Sequence, residues 1–171
     1  MRAVETEEEF CLAVRVPEYA KDTVLCVNGE KISLDVDEGY VYVKRKWGVG
    51  DRLELAFEMP VRWMRTSTKV RENIGCTALM RGPFVYCFEE VDNGSGLQEL
   101  KVIRNGEVGV MRYEAGLLEG VVPISVEGKR VCSEDGSGLY FEGEMVEADV
   151  VLKAVPYYAW GNRGCGEMRV W

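Results

Sequence analysis

Histidine is absent from the 171 residues. Ser-His and Cys-His nucleophile pairs and His-ligated metal sites are therefore excluded together, because no other side chain titrates near neutrality without perturbation. Six cysteines are present (Cys11, Cys26, Cys76, Cys87, Cys132, Cys165), but none forms a Cys-x-x-Cys pair. A zinc site would have to gather ligands from scattered strands, so no metal and no cofactor is expected. Continuous apolar runs of the roughly 20 residues needed to span a bilayer are missing. The opening MRAVETEEEF also lacks the basic and apolar regions of an export leader. These features predict a soluble, cytoplasmic chain in which the cysteines are buried free thiols and not a disulfide framework. Positive charge is in deficit, 21 Lys and Arg against 29 Asp and Glu, for a net charge of −8. Phosphate backbones and anionic lipid are repelled by such a chain, so neither nucleic acid nor membrane is an expected partner.

What is present is strand periodicity. Phe10, Leu12, Val14 and Val16 alternate with other residues in FCLAVRV, Leu53, Leu55 and Phe57 alternate with charged ones in RLELAFE, and YVYVKRKW follows the same rule. LCVNGEKI places Asn28-Gly29, a pair that accepts positive φ, between two apolar runs and predicts a tight type I′ hairpin. Further turn signals stand at residues 47–51, Asn93-Gly94-Ser95-Gly96, Asn105-Gly106, Glu127-Gly128-Lys129 and Gly136-Ser137-Gly138, spaced for short antiparallel strands. LKVIRNGEV resembles VLCVNGEKI and is read as a second strand, Asn-Gly, strand hairpin. No segment holds helical apolar spacing over three turns, although EAGLLEGV could form one brief helical turn. The expected class is all-β, two small antiparallel β-sandwich units. The boundary falls at Met59-Pro60, where proline ends a strand it cannot continue and the basic segment VRWMRTSTKVRENIG begins, giving units 1–60 and 61–171.

The segments ALMRGPFVYCFEEVDN and AVPYYAWGNRGCGEMRVW resemble the C-terminal part of glycoside hydrolase family 127, formerly domain of unknown function 1680. LAVRVPEYAK, VNGE and GYVYVKRKWGVGDRLELAFEMPVRWM resemble preceding segments of that family in the same order, with Tyr19, Gly161 and Cys165 departing from its usual Trp, Ala and Pro. The resemblance implies two β-sandwiches, the first lacking its leading strands, that in the family follow a catalytic α/α barrel. The family's activity is retaining hydrolysis of β-L-arabinofuranosides, with a cysteine nucleophile, an acid/base glutamate, and a zinc held by three cysteines and a glutamate, all on the barrel. No position here matches those motifs. No catalytic or metal residue is carried over, and a chain that is not itself an enzyme is expected.

Among candidate sites the segment Tyr157, Tyr158, Trp160, Asn162 and Arg163 gathers planar rings, an amide and a forked guanidinium within seven residues. Sugars pack their apolar face on such rings, so this segment is the candidate carbohydrate-binding site; buried packing is the alternative use of the same residues. Glu89-Glu90-Val91-Asp92 and Asp35-Val36-Asp37-Glu38 carry oxygen ligands without the spacing of a calcium loop and are read as solvated acidic surface, with the basic run Arg62 to Arg71 pairing against it. Arg81-Gly82-Pro83 is read as a bend or bulge. The function expected is the noncatalytic β-sandwich portion of a family 127-like hydrolase, structural or carbohydrate-associated. A free-standing carbohydrate-binding module is the alternative. The expected partners are a second copy of the chain, as a homo-oligomer covering an open strand edge and apolar surface near Trp47 and Trp63, or a separate barrel-bearing chain. An arabinose-containing saccharide is the expected ligand.

Overall fold

A computed structural model describes residues 9–103, 105–133, 139–140 and 142–170. The chain divides into two compact units, Met1–Pro60 and Val61–Trp171. Every strand pairing in both is antiparallel, and the described residues hold a single α-helical turn, Glu90–Asn93. The all-β class follows from the alternation and turn spacing that the sequence carries.

In the first unit β1 (Glu9–Arg15) pairs with β4 (Tyr40–Lys46), while β2 (Lys21–Val27) lies between β3 (Glu30–Lys31) and β5 (Leu53–Glu58). Period-two alternation turns Phe10, Leu12 and Val14 inward, where they pack on buried Leu25, Val27, Val41, Val43 and Trp47. Asn28 and Gly29 both have positive φ, 53° and 84°, as the predicted hairpin requires. The Asn28 side chain also donates to Asp51 and accepts from the Arg52 N–H, both at 2.8 Å, which ties this turn to the one before β5. Asp51 in turn accepts from the Gly48 N–H, and these bonds hold its carboxyl below the usual range. Trp47 is not part of an apolar surface patch. Its indole is 4% exposed, donates to the Phe10 carbonyl and lies under the Arg45 guanidinium.

The second unit is one eight-stranded sheet curled into a half-barrel, in the order β10 (Val108–Val110), β11 (Ile124–Ser133), β12 (Met145–Pro156), β8 (Phe84–Glu89), β7 (Ala78–Arg81), β6 (Val61–Met64). Off this path β9 (Leu100–Val102) pairs with β11, and β13 (Met168–Arg169) pairs with β8. Inside the curl Leu79, Tyr86, Phe88, Ile124, Val126, Leu152 and Ala154 form the core. On the other face of β8 and β12, Cys87 and Val155 pack with Leu117, Val121 and Ala159. Both faces are therefore covered where β8 pairs with β12, and this is why FVYCF is a continuous apolar run and not an alternating one.

Several turn signals resolve differently. Asn105-Gly106 does not close a hairpin, because β9 and β10 both pair with β11, at Gly128 to Arg130 and at Ile124 to Val126. They lie along the same edge of β11 on either side of Glu127, and the Gly106 N–H bonds the Ile103 carbonyl between them. The Glu127 backbone bonds Ile103 and Glu107, and its carboxylate accepts the Glu107 N–H. Glu127-Gly128-Lys129 is no turn but the middle of β11. A Cβ on Gly128 would meet Leu152 Cδ1 and the Lys101 carbonyl, each at 2.7 Å, so the glycine permits close packing. EAGLLEGV forms a loop closed by a bridge between Glu114 and Val121, with Leu118 and Glu119 at positive φ, in place of a helical turn. Gly82-Pro83 is the two-residue turn of the β7–β8 hairpin, Gly82 at φ 57°. Gly136-Ser137-Gly138 lies outside the described residues. All six cysteines are free, but only Cys87 is buried, since strand alternation turns Cys11 outward and Cys165 lies on an exposed loop.

Candidate functional site

Strand β12 ends at Pro156, and a single 3₁₀ turn, Tyr157–Ala159, follows. Ala159 is fully buried in the outer core, which anchors the turn and leaves its neighbours outside. Tyr157, Tyr158 and Trp160 keep 47%, 52% and 44% of their surface exposed, far more than packed aromatics of a sandwich core. Tyr157 and Trp160 stack with centroids 6.2 Å apart and planes 22° from parallel. Tyr158 meets Phe84 edge-on at 5.4 Å, so the β7–β8 hairpin contributes a fourth ring. Rings held against one another lose little freedom on contact with a flat apolar ligand face.

Of the other two candidates, Asn162 is exposed and Arg163 is half-buried. The Asn162 amide donates to the carbonyls of Ala159 and Trp160, both at 3.1 Å, and so closes the turn. The Arg163 guanidinium bonds Glu89 and Asp92, and its Nη1 lies 2.9 Å from Asp92 Oδ1. Glu89 is 4% exposed and also accepts the Gly161 N–H at 3.0 Å. A carboxylate at that depth requires a paired cation, and Arg163 supplies it. Asp92, and then Glu89, raise the Arg163 pKa above its ordinary value. Lys153 joins the network 3.4 Å from Asp92 and 2.8 Å from Glu114. Asn93 donates to the Glu89 and Lys153 carbonyls and accepts the Lys153 N–H, and Glu90 accepts the Glu167 N–H.

The acidic cluster from Glu89 is thus no solvated surface. It is the buried anchor of the segment that carries the rings. The cations it pairs with are Arg163 and Lys153, and not the run from Arg62 to Arg71. Two features escaped the sequence reading: Phe84 as a ring of the platform, and Glu89 and Asp92 as the partners of Arg163. The one available signal was an ionisable residue directly continuing the apolar run FVYCF. Burial, followed by the nearby Glu89 charge, pushes the Cys87 thiol up to about 12, so it is no thiolate near neutrality. Among the described residues no cluster of three or more His, Cys, Asp or Glu is arranged to hold a metal ion.

Residues 61–171 match the glycoside hydrolase family 127 C-terminal domain, and residues 2–59 match the β-L-arabinofuranosidase, GH127 middle domain. The chain belongs to glycoside hydrolase family 127. The non-reducing end β-L-arabinofuranosidase of Bifidobacterium longum subsp. longum is 35% identical to it over 173 residues, covering 96% of this chain and 26% of the relative. The crystal structure of a GH127 β-L-arabinofuranosidase from Geobacillus stearothermophilus T6 superposes with a TM-score of 0.89 at 42% identity over 98% of this chain and 27% of its own. A second solved GH127 β-arabinofuranosidase gives a TM-score of 0.84 at 30% identity, again with 27% of its own length covered. This family 127 chain therefore spans about a quarter of the length of these relatives. No helix among the described residues is long and apolar enough to cross a membrane.

Proposed function

We propose that this chain is the noncatalytic β-sandwich portion of a family 127 glycoside hydrolase and serves a structural role beside a catalytic barrel. The observation that supports this best is the succession of a middle-domain match and a C-terminal-domain match along an all-β chain. The site chemistry agrees: the buried thiol is protonated, and the clustered carboxylates Glu89 and Asp92 are engaged by one guanidinium and not free to act as an acid and base pair. Intact-mass spectrometry after incubation with a β-L-arabinofuranosyl electrophile tests it. The reading predicts that any adduct is spread over the exposed Cys11, Cys132 and Cys165 and is not suppressed by excess arabinose; one full equivalent on a single cysteine that excess arabinose prevents would contradict it.

A second reading, binding of an arabinose-containing saccharide, is favoured specifically by the exposed rings of Tyr157, Tyr158, Trp160 and Phe84. In it the rings make the contact, while Asn162 and Arg163 hold the platform in shape. Calorimetric titration with arabinose-containing oligosaccharides, on the parent and on Trp160→Ala, distinguishes the readings. Saturable binding lost in the variant supports the module, and no binding at millimolar sugar ends that reading.

Association with a second copy or a barrel-bearing chain is proposed from the first unit. Among the described residues β1 and β4 pair only with each other, leaving an open edge on each, and Tyr40 and Tyr42 stand exposed on the outer face. Light scattering at micromolar concentration is expected to give at least a dimer mass; a stable monomer that binds no hydrophobic dye would remove self-association from the account.

A further inference from the structure

The basic run from Arg62 to Arg71 is unused by everything described so far. It holds four cations against one acid, Glu72, within residues 61–75 of a chain of net charge −8. β6 carries it into a loop that ends at β7, and that loop, with Val102 of β9, encloses a cleft of about 360 Å³. A neighbouring cleft of about 380 Å³ shares Gly75, Cys76, Thr77 and Val102 with it. Each volume lies in the range of roughly 300–1,000 Å³ usual for small-ligand sites.

Hydrogen bonds within the loop fix the shape of the first cleft. Thr77 donates to the Met64 carbonyl at 2.8 Å, Thr66 donates to the Asn73 carbonyl at 3.4 Å, and the Ser67 hydroxyl accepts the Lys69 N–H at 3.3 Å. Four other polar groups of the lining are unspent. The Trp63 indole N–H, the Arg65 guanidinium, the Thr68 hydroxyl and the Asn73 amide have no hydrogen-bond or ion-pair partner among the described residues. All four can donate, one is a permanent cation with a planar fork, and the lining contains no Asp or Glu. Trp63 is half-buried against the inner core, so its ring is a fixed wall.

A lining rich in donors, with a fork-shaped cation and a flat aromatic wall, is complementary to a ligand that carries a carboxylate, hydroxyl acceptors and an apolar ring face. A neutral sugar would leave the cation without a counter-charge. We infer that the Trp63–Arg65–Asn73 cleft is a binding site for an acidic saccharide of the uronate class, with the carboxylate on Arg65, the ring against Trp63 and hydroxyls on Asn73 and Thr68. This site is separate from the Tyr157–Trp160 platform and does not rest on the proposed noncatalytic role.

The test is calorimetric titration of the full chain with glucuronate and galacturonate, against glucose, galactose and acetate as probes. Saturable millimolar binding of at least one uronate is expected, with the matched neutral sugar and acetate each weaker by about tenfold, the value of one charge-assisted contact. Arg65→Gln on the exposed loop is expected to abolish the preference for the uronate, and Asn73→Ala to weaken it without abolishing the charge preference. Neutralising a cation that does not line the cleft, Lys21→Gln, is expected to change nothing. Circular dichroism confirms that each variant is folded, and Trp63 is left intact because it packs on the core. No uronate binding, equal binding of uronate and neutral sugar, equal binding of acetate, or undiminished binding by folded Arg65→Gln would each overturn the inference.

Discussion

Arg163 shows how one side chain can be read in two ways. Beside three aromatics in sequence it has the composition of a sugar contact, yet in three dimensions its fork is closed on Glu89 and Asp92. Removing the guanidinium strands Glu89 in an apolar setting. Arg163→Met is expected to lower stability by roughly 2–3 kcal/mol, toward the low end for a broken buried pair because part of the Arg163 side chain stays in water. Glu89→Leu added to it should recover part of the loss, since the uncompensated charge is then gone. Urea unfolding midpoints of the parent, single and double variants measure both effects; an unchanged midpoint for Arg163→Met would show that the pair is solvated. The thiols supply a second residue-scale expectation. Cys11, Cys132 and Cys165 are exposed and should react with a thiol reagent in native protein at pH 8, while Cys87 should react only after unfolding. Its folded pKa, pushed up to about 12 by burial, exceeds the ordinary cysteine value near 8.5, so its contribution to stability is complete below about pH 8.5 and falls away as pH climbs toward 12. Asp51 acts in the opposite sense: its lowered pKa gives a contribution present above about pH 3.9 and lost as pH falls through the folded value.

At the scale of elements, Gly128 marks a place in β11 with no room for a side chain. Gly128→Ala is expected to destabilise the second unit by about 1–3 kcal/mol, because Leu152 can shift but the Lys101 carbonyl belongs to a paired strand. Thermal unfolding measures it, and a neutral result would show that the β9 edge yields. The same glycine marks where sequence reading stops. Asn28-Gly29 was legible because both flanks alternate and pair locally, so turn chemistry alone determines the hairpin. Asn105-Gly106 carries the same signal, but its flanks pair with a strand some twenty residues later, and pairing at that distance leaves no local trace. Likewise the exposure of Tyr157, Tyr158 and Trp160 depends on the burial of Ala159, and the burial of Glu89 on a cation 74 residues away. The aromatic segment could be found in the sequence; which of its members face water could not.

For the whole molecule, membership of family 127 and the all-β fold join a family whose solved relatives are hydrolases to a chain spanning about a quarter of their length. We propose that this portion shapes and supports but does not cleave. The most direct test is the release of arabinose from a β-L-arabinofuranoside by the purified chain, with and without added zinc, beside a panel in which each of the six cysteines is replaced singly by alanine. The account predicts no release above the uncatalysed rate by the parent or any variant, with or without zinc. Turnover by the parent that a single Cys→Ala substitution abolishes would contradict it, for it would place a working nucleophile or metal ligand on these β-strands.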